Sequence, residues 1–121
     1  MQLSKKKLNK NLEIQLKKMW YGLLAEMQSP EEVEELLINL LTDAERIAIY
    51  KRLGIGLYLD KGRSYEDIKN NIKVSSATIA AVAENVSKPG FQEAIRRIKA
   101  DEWAEDWSNR ISQRIKRWLP V

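Results

Sequence analysis

Apolar residues recur along the chain at three- and four-residue intervals, and capping residues interrupt them, as in a succession of amphipathic helices. The first stripe runs through Leu8, Leu12, Leu16, Met19, Trp20, Leu23, Leu24 and Met27. It stops before Ser29-Pro30, where Ser29 suits a cap, Pro30 the first helical position and Glu32 the far side of a capping box. A second helix carries Val33, Leu36, Leu37, Leu40 and Leu41. Thr42-Asp43-Ala44-Glu45 forms another capping box and opens a third helix, with a stripe through Ile47, Tyr50, Leu53, Leu57 and Tyr58. Gly62 stands where a left-handed residue would end it.

Ser64 opens a short fourth helix that ends near Ile72. Lys73-Val74-Ser75 reads as a turn, and Ser75 or Ser76 caps a fifth helix reaching about Ser87. Pro89-Gly90 then breaks the chain. A long last helix follows from Phe91, with Ile95 and Ile98, then Trp103, Trp107, Ile111, Ile115 and Trp118. The five-residue step from Ile98 to Trp103 moves the apolar stripe to another face. The helix therefore bends near Asp101-Glu102, or its halves meet different partners. No strand pattern or repeat is present, and the expected class is all-α.

The stretch from Tyr65 to Val82 is the informative one. Ile68 and Ile72 lie four apart on one helix, Val74 sits in the turn, and Ile79 and Val82 lie three apart on the next. Two short helices crossing steeply need such a set, which makes residues 64–87 a helix-turn-helix. Ser75, Ser76, Ala77 and Thr78 are small and would leave the second helix's tip free to enter a major groove. Lys69 and Lys73 stand where small residues and glycine are usual. The same spacing also fits an ordinary helical hairpin inside a bundle.

Composition narrows the chemistry. The 121 residues fit one domain, and 44% hydrophobic with 31% charged residues suits a folded chain. Cysteine and histidine are both absent, which removes disulfides, thiolates, the commonest general base and the commonest metal ligand. No cofactor or metal site and no catalytic residue is expected. Apolar runs such as Leu36-Leu37-Ile38 are too short to span a bilayer, and no leader pattern follows Met1-Gln2-Leu3-Ser4, so a cytoplasmic protein is expected. The net charge of +4 permits a nucleic-acid partner without requiring one.

Leu40-Leu41-Thr42-Asp43-Ala44-Glu45-Arg46, with Arg52 and Gly62 beyond it, resembles the entry to the DNA-binding region of the tryptophan repressor family. Ile68-Lys69-Asn70-Asn71-Ile72 and Ala77-Thr78-Ile79 resemble its helix-turn-helix. The likeness extends to the wider group that includes the YerC/YecD-type proteins, and covers roughly residues 8–88. It implies an all-helical repressor-like domain over residues 1–90; residues 91–121, beyond the likeness, are expected to add a long amphipathic C-terminal helix, the sixth, to the same structural unit. It also implies a homodimer with interlocked outer helices and two reading heads one DNA turn apart on double-stranded DNA. By the same match, Ser76, Ala77 and Ala80 face base edges, and Lys69 approaches the phosphate backbone. Arg52 matches one of two arginines that sandwich the family's tryptophan corepressor. The other position is Ala81, and Val82 replaces a neighbouring glycine, so tryptophan control is not expected and any effector is a different one. Glu66 stands where the repressor has a basic DNA-touching residue, and Glu84 adds to the acids of the reading head.

Positive charge gathers at the ends. Lys5, Lys6, Lys7, Lys10, Lys17 and Lys18 face only Glu13, and Arg110, Arg114, Lys116 and Arg117 have no acid among them. Such residues serve either as phosphate contacts or as a solvated face. The tryptophans among the C-terminal set would suit a lipid surface, but Glu102, Glu105 and Asp106 interrupt them, which favours a packing stripe. The expected function is sequence-specific DNA binding as a transcriptional regulator, with the helix at 75–87 in the major groove. The alternative is an interaction adaptor that uses the aromatic last helix.

Overall fold

The computed structural model describes residues 5–118, without the side chains of 107 and 115–118. Expectations resting on Met1 to Ser4, or on the side chains of Trp107, Ile115, Lys116, Arg117 and Trp118, lie outside the described residues. The described residues form six helices and no strand: α1 (Lys10–Glu26), α2 (Pro30–Leu40), α3 (Asp43–Asp60), α4 (Tyr65–Ile72), α5 (Ser76–Val86) and α6 (Pro89–Trp118). The all-α class is as the periodicity requires.

Caps explain most of the boundaries. The Asn9 side chain accepts from the amides of Asn11 and Leu12 at the start of α1. Ser29 Oγ accepts from Glu32 N at 3.1 Å, with Pro30 in the first turn of α2. Glu32 reaches back one residue further than a capping box demands, taking the amide of Gln28 at 3.1 Å. The reciprocal box forms fully at α3, where Thr42 Oγ1 accepts from Glu45 N and Glu45 Oε1 from Thr42 N. The hydrogen bond from the Thr42 amide holds the Glu45 carboxyl below its ordinary pKa. Gly62, at φ 75°, ends α3 in the left-handed region as expected.

Two compact units divide within α3, Met1–Arg46 and Ile47–Val121. In the first, α1 and α2 bury no residue, and the stripe expected to pack leaves Leu8, Leu12, Leu16 and Met19 exposed. Arg46 ties the end of α2 to the start of α3, donating to the carbonyls of Leu41 at 2.7 Å and Ile38 at 3.2 Å and pairing with Asp43.

The second unit holds the core. Ile55 of α3, Ile68 of α4, and Ile79 and Val82 of α5 are buried together, with Tyr58, Leu59, Ile72, Val74, Val86 and Phe91 packed around them. Two sequence expectations fail here. The buried face of α3 centres on Ile55 and Gly56, while Ile47 and Tyr50 lie exposed. Pro89-Gly90 does not break the chain: Pro89 is the first residue of α6, and the interruption is confined to Ser87 and Lys88. Proline's missing amide costs nothing in a first turn, which makes Pro89 a starter there. Ile95, 2% exposed, carries the start of α6 into the core. α6 then continues as a single helix through the face change at residue 103.

Candidate nucleic-acid interface

The helix-turn-helix is built from α4, a three-residue turn and α5. Ser64 Oγ caps α4 through Asp67 N at 3.1 Å. Lys73, in the left-handed region at φ 61°, closes α4 by donating its amide to the Lys69 carbonyl. A lysine therefore adopts the backbone shape that glycine usually supplies at this turn. Ser75 caps α5, its Oγ accepting from Thr78 N at 3.2 Å and lying 3.0 Å from Thr78 Oγ1.

Ile79 and Val82 face inward, and the rest of the tip faces out. Ser75, Ser76, Ala77, Thr78 and Ala80 are all exposed, as are Lys69 and Lys73. Every residue singled out for DNA contact thus belongs to one helix-turn-helix. They are not chemically equal. The Ser75 hydroxyl is engaged in capping, and that of Thr78 is shared with it, which leaves Ser76 with the unengaged hydroxyl at the helix start. No acid lies in the first turn of α5, so its amide dipoles present positive potential outward.

The electrostatics differ from a charge count along the segment. Asp67, an acid in the first turn of α4, is paired with Arg63 at 3.3 Å and accepts from Asn71 at 2.7 Å. Arg63 is held in turn over the ring of Tyr58, 4.3 Å from its centroid. Lys51, which no local pattern marks, arrives from α3 and donates its Nζ to the Lys73 carbonyl at 3.0 Å. Its ammonium joins Lys69 and Lys73 at the turn across 22 residues of sequence. Glu66 and Glu84 remain exposed acids.

Arg52 lies one residue on from Lys51 along α3. It lines a groove of about 730 Å³ with Ala77, Thr78, Ala81, Val82, Asn85 and Phe91. The groove runs along α5 and reaches its N-terminal tip through Ala77 and Thr78. Ala81 leaves it without a second guanidinium, and no carboxylate lines it. Among the described residues no group of acids is arranged to hold a metal ion, and no helix is long and apolar enough to cross a membrane.

A family model described as Trp repressor protein matches residues 15–99. The chain belongs to the Trp repressor family. Members of the Trp repressor family are DNA-binding regulators, not enzymes. The match takes in all of α2, α3, α4 and α5 and stops inside α6, so residues 100–118 of that helix lie beyond it. No curated protein and no solved structure matches the chain.

Proposed function

We propose that this Trp repressor family member is a cytoplasmic, homodimeric transcriptional repressor that reads double-stranded DNA with α5. One observation carries the reading: the tip formed by Ser76, Ala77, Thr78 and Ala80 projects from a packed helix-turn-helix without any side chain of its own unit covering it. Small side chains let the helix backbone approach base edges closely, and the acid-free first turn suits a phosphate. Lys69, Lys73 and Lys51 supply sequence-independent attraction from the turn. The exposed apolar stripe of α1 supplies the surface for a second copy, and two heads about 34 Å apart would match a near-palindromic operator.

The Arg52 groove is the place for an effector, and its walls argue against tryptophan. Ala81 provides no flat cation opposite Arg52, and no carboxylate is present to take an amino group. Tryptophan is expected to leave operator binding unchanged.

The test begins with duplexes selected from a random library and measured by fluorescence anisotropy. A selected near-palindrome should bind at least about a thousandfold more tightly than random DNA, and binding should weaken steeply as salt rises. Absence of duplex binding at low salt overturns the reading.

A further inference from the structure

We propose that residues 101–114 of α6 pair with the same residues of a second copy in antiparallel orientation. The proposal rests on the homodimer reading and locates a contact outside the region the family shares.

Two faces of one helix motivate it. Phe91, Ala94, Ile95 and Ile98 turn into the core, with Ile95 2% exposed. Trp103 and Ile111 centre on a line roughly 170° round the helix from that face. Because α6 is uninterrupted, the body that covers the first face cannot cover the second. Trp103 is 67% exposed and Ile111 42% exposed. Ion pairs from Lys99 to Asp60 at 2.9 Å and from Lys61 to Glu102 at 3.9 Å fasten the helix to the end of α3 just before this second face begins.

Charge identifies the occupant. Residues 101–106 carry four acids and no base, whereas 110–114 carry Arg110 and Arg114 and no acid. Within one helix the two blocks meet just once among the described residues, through Arg110 and Asp106 at 3.5 Å. Two copies crossing antiparallel near residue 107 bring the acidic block of each beside the basic block of the other. The same crossing sets Trp103 of one copy level with Ile111 of its partner. A parallel crossing would set like charge against like, so the sequence selects one orientation. Such a contact is isologous and closes on itself as a twofold dimer.

The test uses the full chain without DNA. One variant carries Glu105→Lys and Asp106→Lys, the other Arg110→Glu and Arg114→Glu. Circular dichroism should show unchanged helix content in both. By sedimentation equilibrium each alone should self-associate about tenfold more weakly than the unaltered chain, since each pairing then sets like charges together. An equimolar mixture should recover association, with the mixed dimer dominant by native mass spectrometry. Trp103→Ser should weaken self-association without altering this pairing preference. Unchanged association of the single variants, or a mixture no better than its components, overturns the proposal while the homodimer reading stands. If the unaltered chain is monomeric throughout the micromolar range, both fall. If the variants dimerise normally but, measured separately by fluorescence anisotropy, lose duplex affinity, residues 101–114 contact DNA and the pairing is overturned.

Discussion

The ring of Phe91, at the start of α6, occupies the space that a β-carbon at Gly56 would need. Gly56 is buried in the middle of α3, and its missing side chain lets α6 approach the core at that point. A helix-interior glycine is ordinarily unfavourable relative to alanine, so Gly56→Ala would stabilise α3 if propensity decided. Here overpacking decides, because an added β-carbon would fall on two atoms of the Phe91 ring, Cε1 and Cζ, so the ring or the helix must shift. Gly56→Ala should destabilise the fold by about 1–3 kcal/mol in urea unfolding. Adding Phe91→Leu should recover part of that loss, and a strictly additive double mutant would contradict the contact.

The helices themselves were legible because their signals are local. Ser29, Thr42, Ser64 and Ser75 each cap within three residues, and Ile68, Ile79 and Val82 fall on the inward faces that their spacing demands. α3 was misread because it is apolar nearly all round between Leu53 and Leu59, so periodicity offered several faces and only the neighbouring helices choose Ile55. Pro89-Gly90 carries both a breaker and a starter signal, and the length of the following helix decides between them. The residues expected to contact DNA fall together on one helix-turn-helix, as their sequence spacing implies. Lys51 and the pairing of Asp67 with Arg63 were not legible, since a charge sum along a segment ignores what folding brings from elsewhere.

Ser76 tests whether α5 reads bases. Its side chain is exposed at the first helical position, and its hydroxyl is not used for capping. Ser76→Arg adds bulk and a bidentate donor at that point, so sequence preference should change or vanish while random duplex binding persists or rises. Selection of bound duplexes from a random library reads the outcome. Equal loss of selected and random binding would place Ser76 away from base edges.

Lys69 and Lys51 separate attraction from positioning. Lys69 is exposed and, among the described residues, hydrogen-bonds only through its backbone, so Lys69→Ala should weaken binding to all duplexes alike and lower the salt slope by about one. Lys51 is half-buried and spends a hydrogen bond on the Lys73 carbonyl. Lys51→Met should cost about 1 kcal/mol of stability by releasing the left-handed turn. If holding the turn is its main role, the selected duplex should lose more affinity than random DNA. An equal loss with a reduced salt slope would instead make Lys51 a phosphate contact.

Glu93 supplies a pH signature for the start of α6. Arg96 and then Arg97 donate to its carboxylate, at 2.6 and 2.8 Å from Arg96 and 3.0 Å from Arg97, and lower its pKa from the ordinary 4.5 to about 2. A carboxylate whose folded value lies below its unfolded one stabilises the fold above the unfolded value and loses that contribution as pH falls through the folded one. The window is therefore between pH 4.5 and about 2, with the benefit complete at neutral pH. All three side chains are solvent-exposed, so the effect on stability is small and salt should erode it. Carboxyl chemical shifts followed by NMR should show Glu93 titrating well below 4.5, at about 2. Arg96→Gln should return it most of the way to the ordinary value, and Arg97→Gln less so, because Arg96 makes two of the three hydrogen bonds. A Glu93 midpoint at the ordinary 4.5 in the unaltered chain would mean that solvent, not the arginine pair, sets its charge.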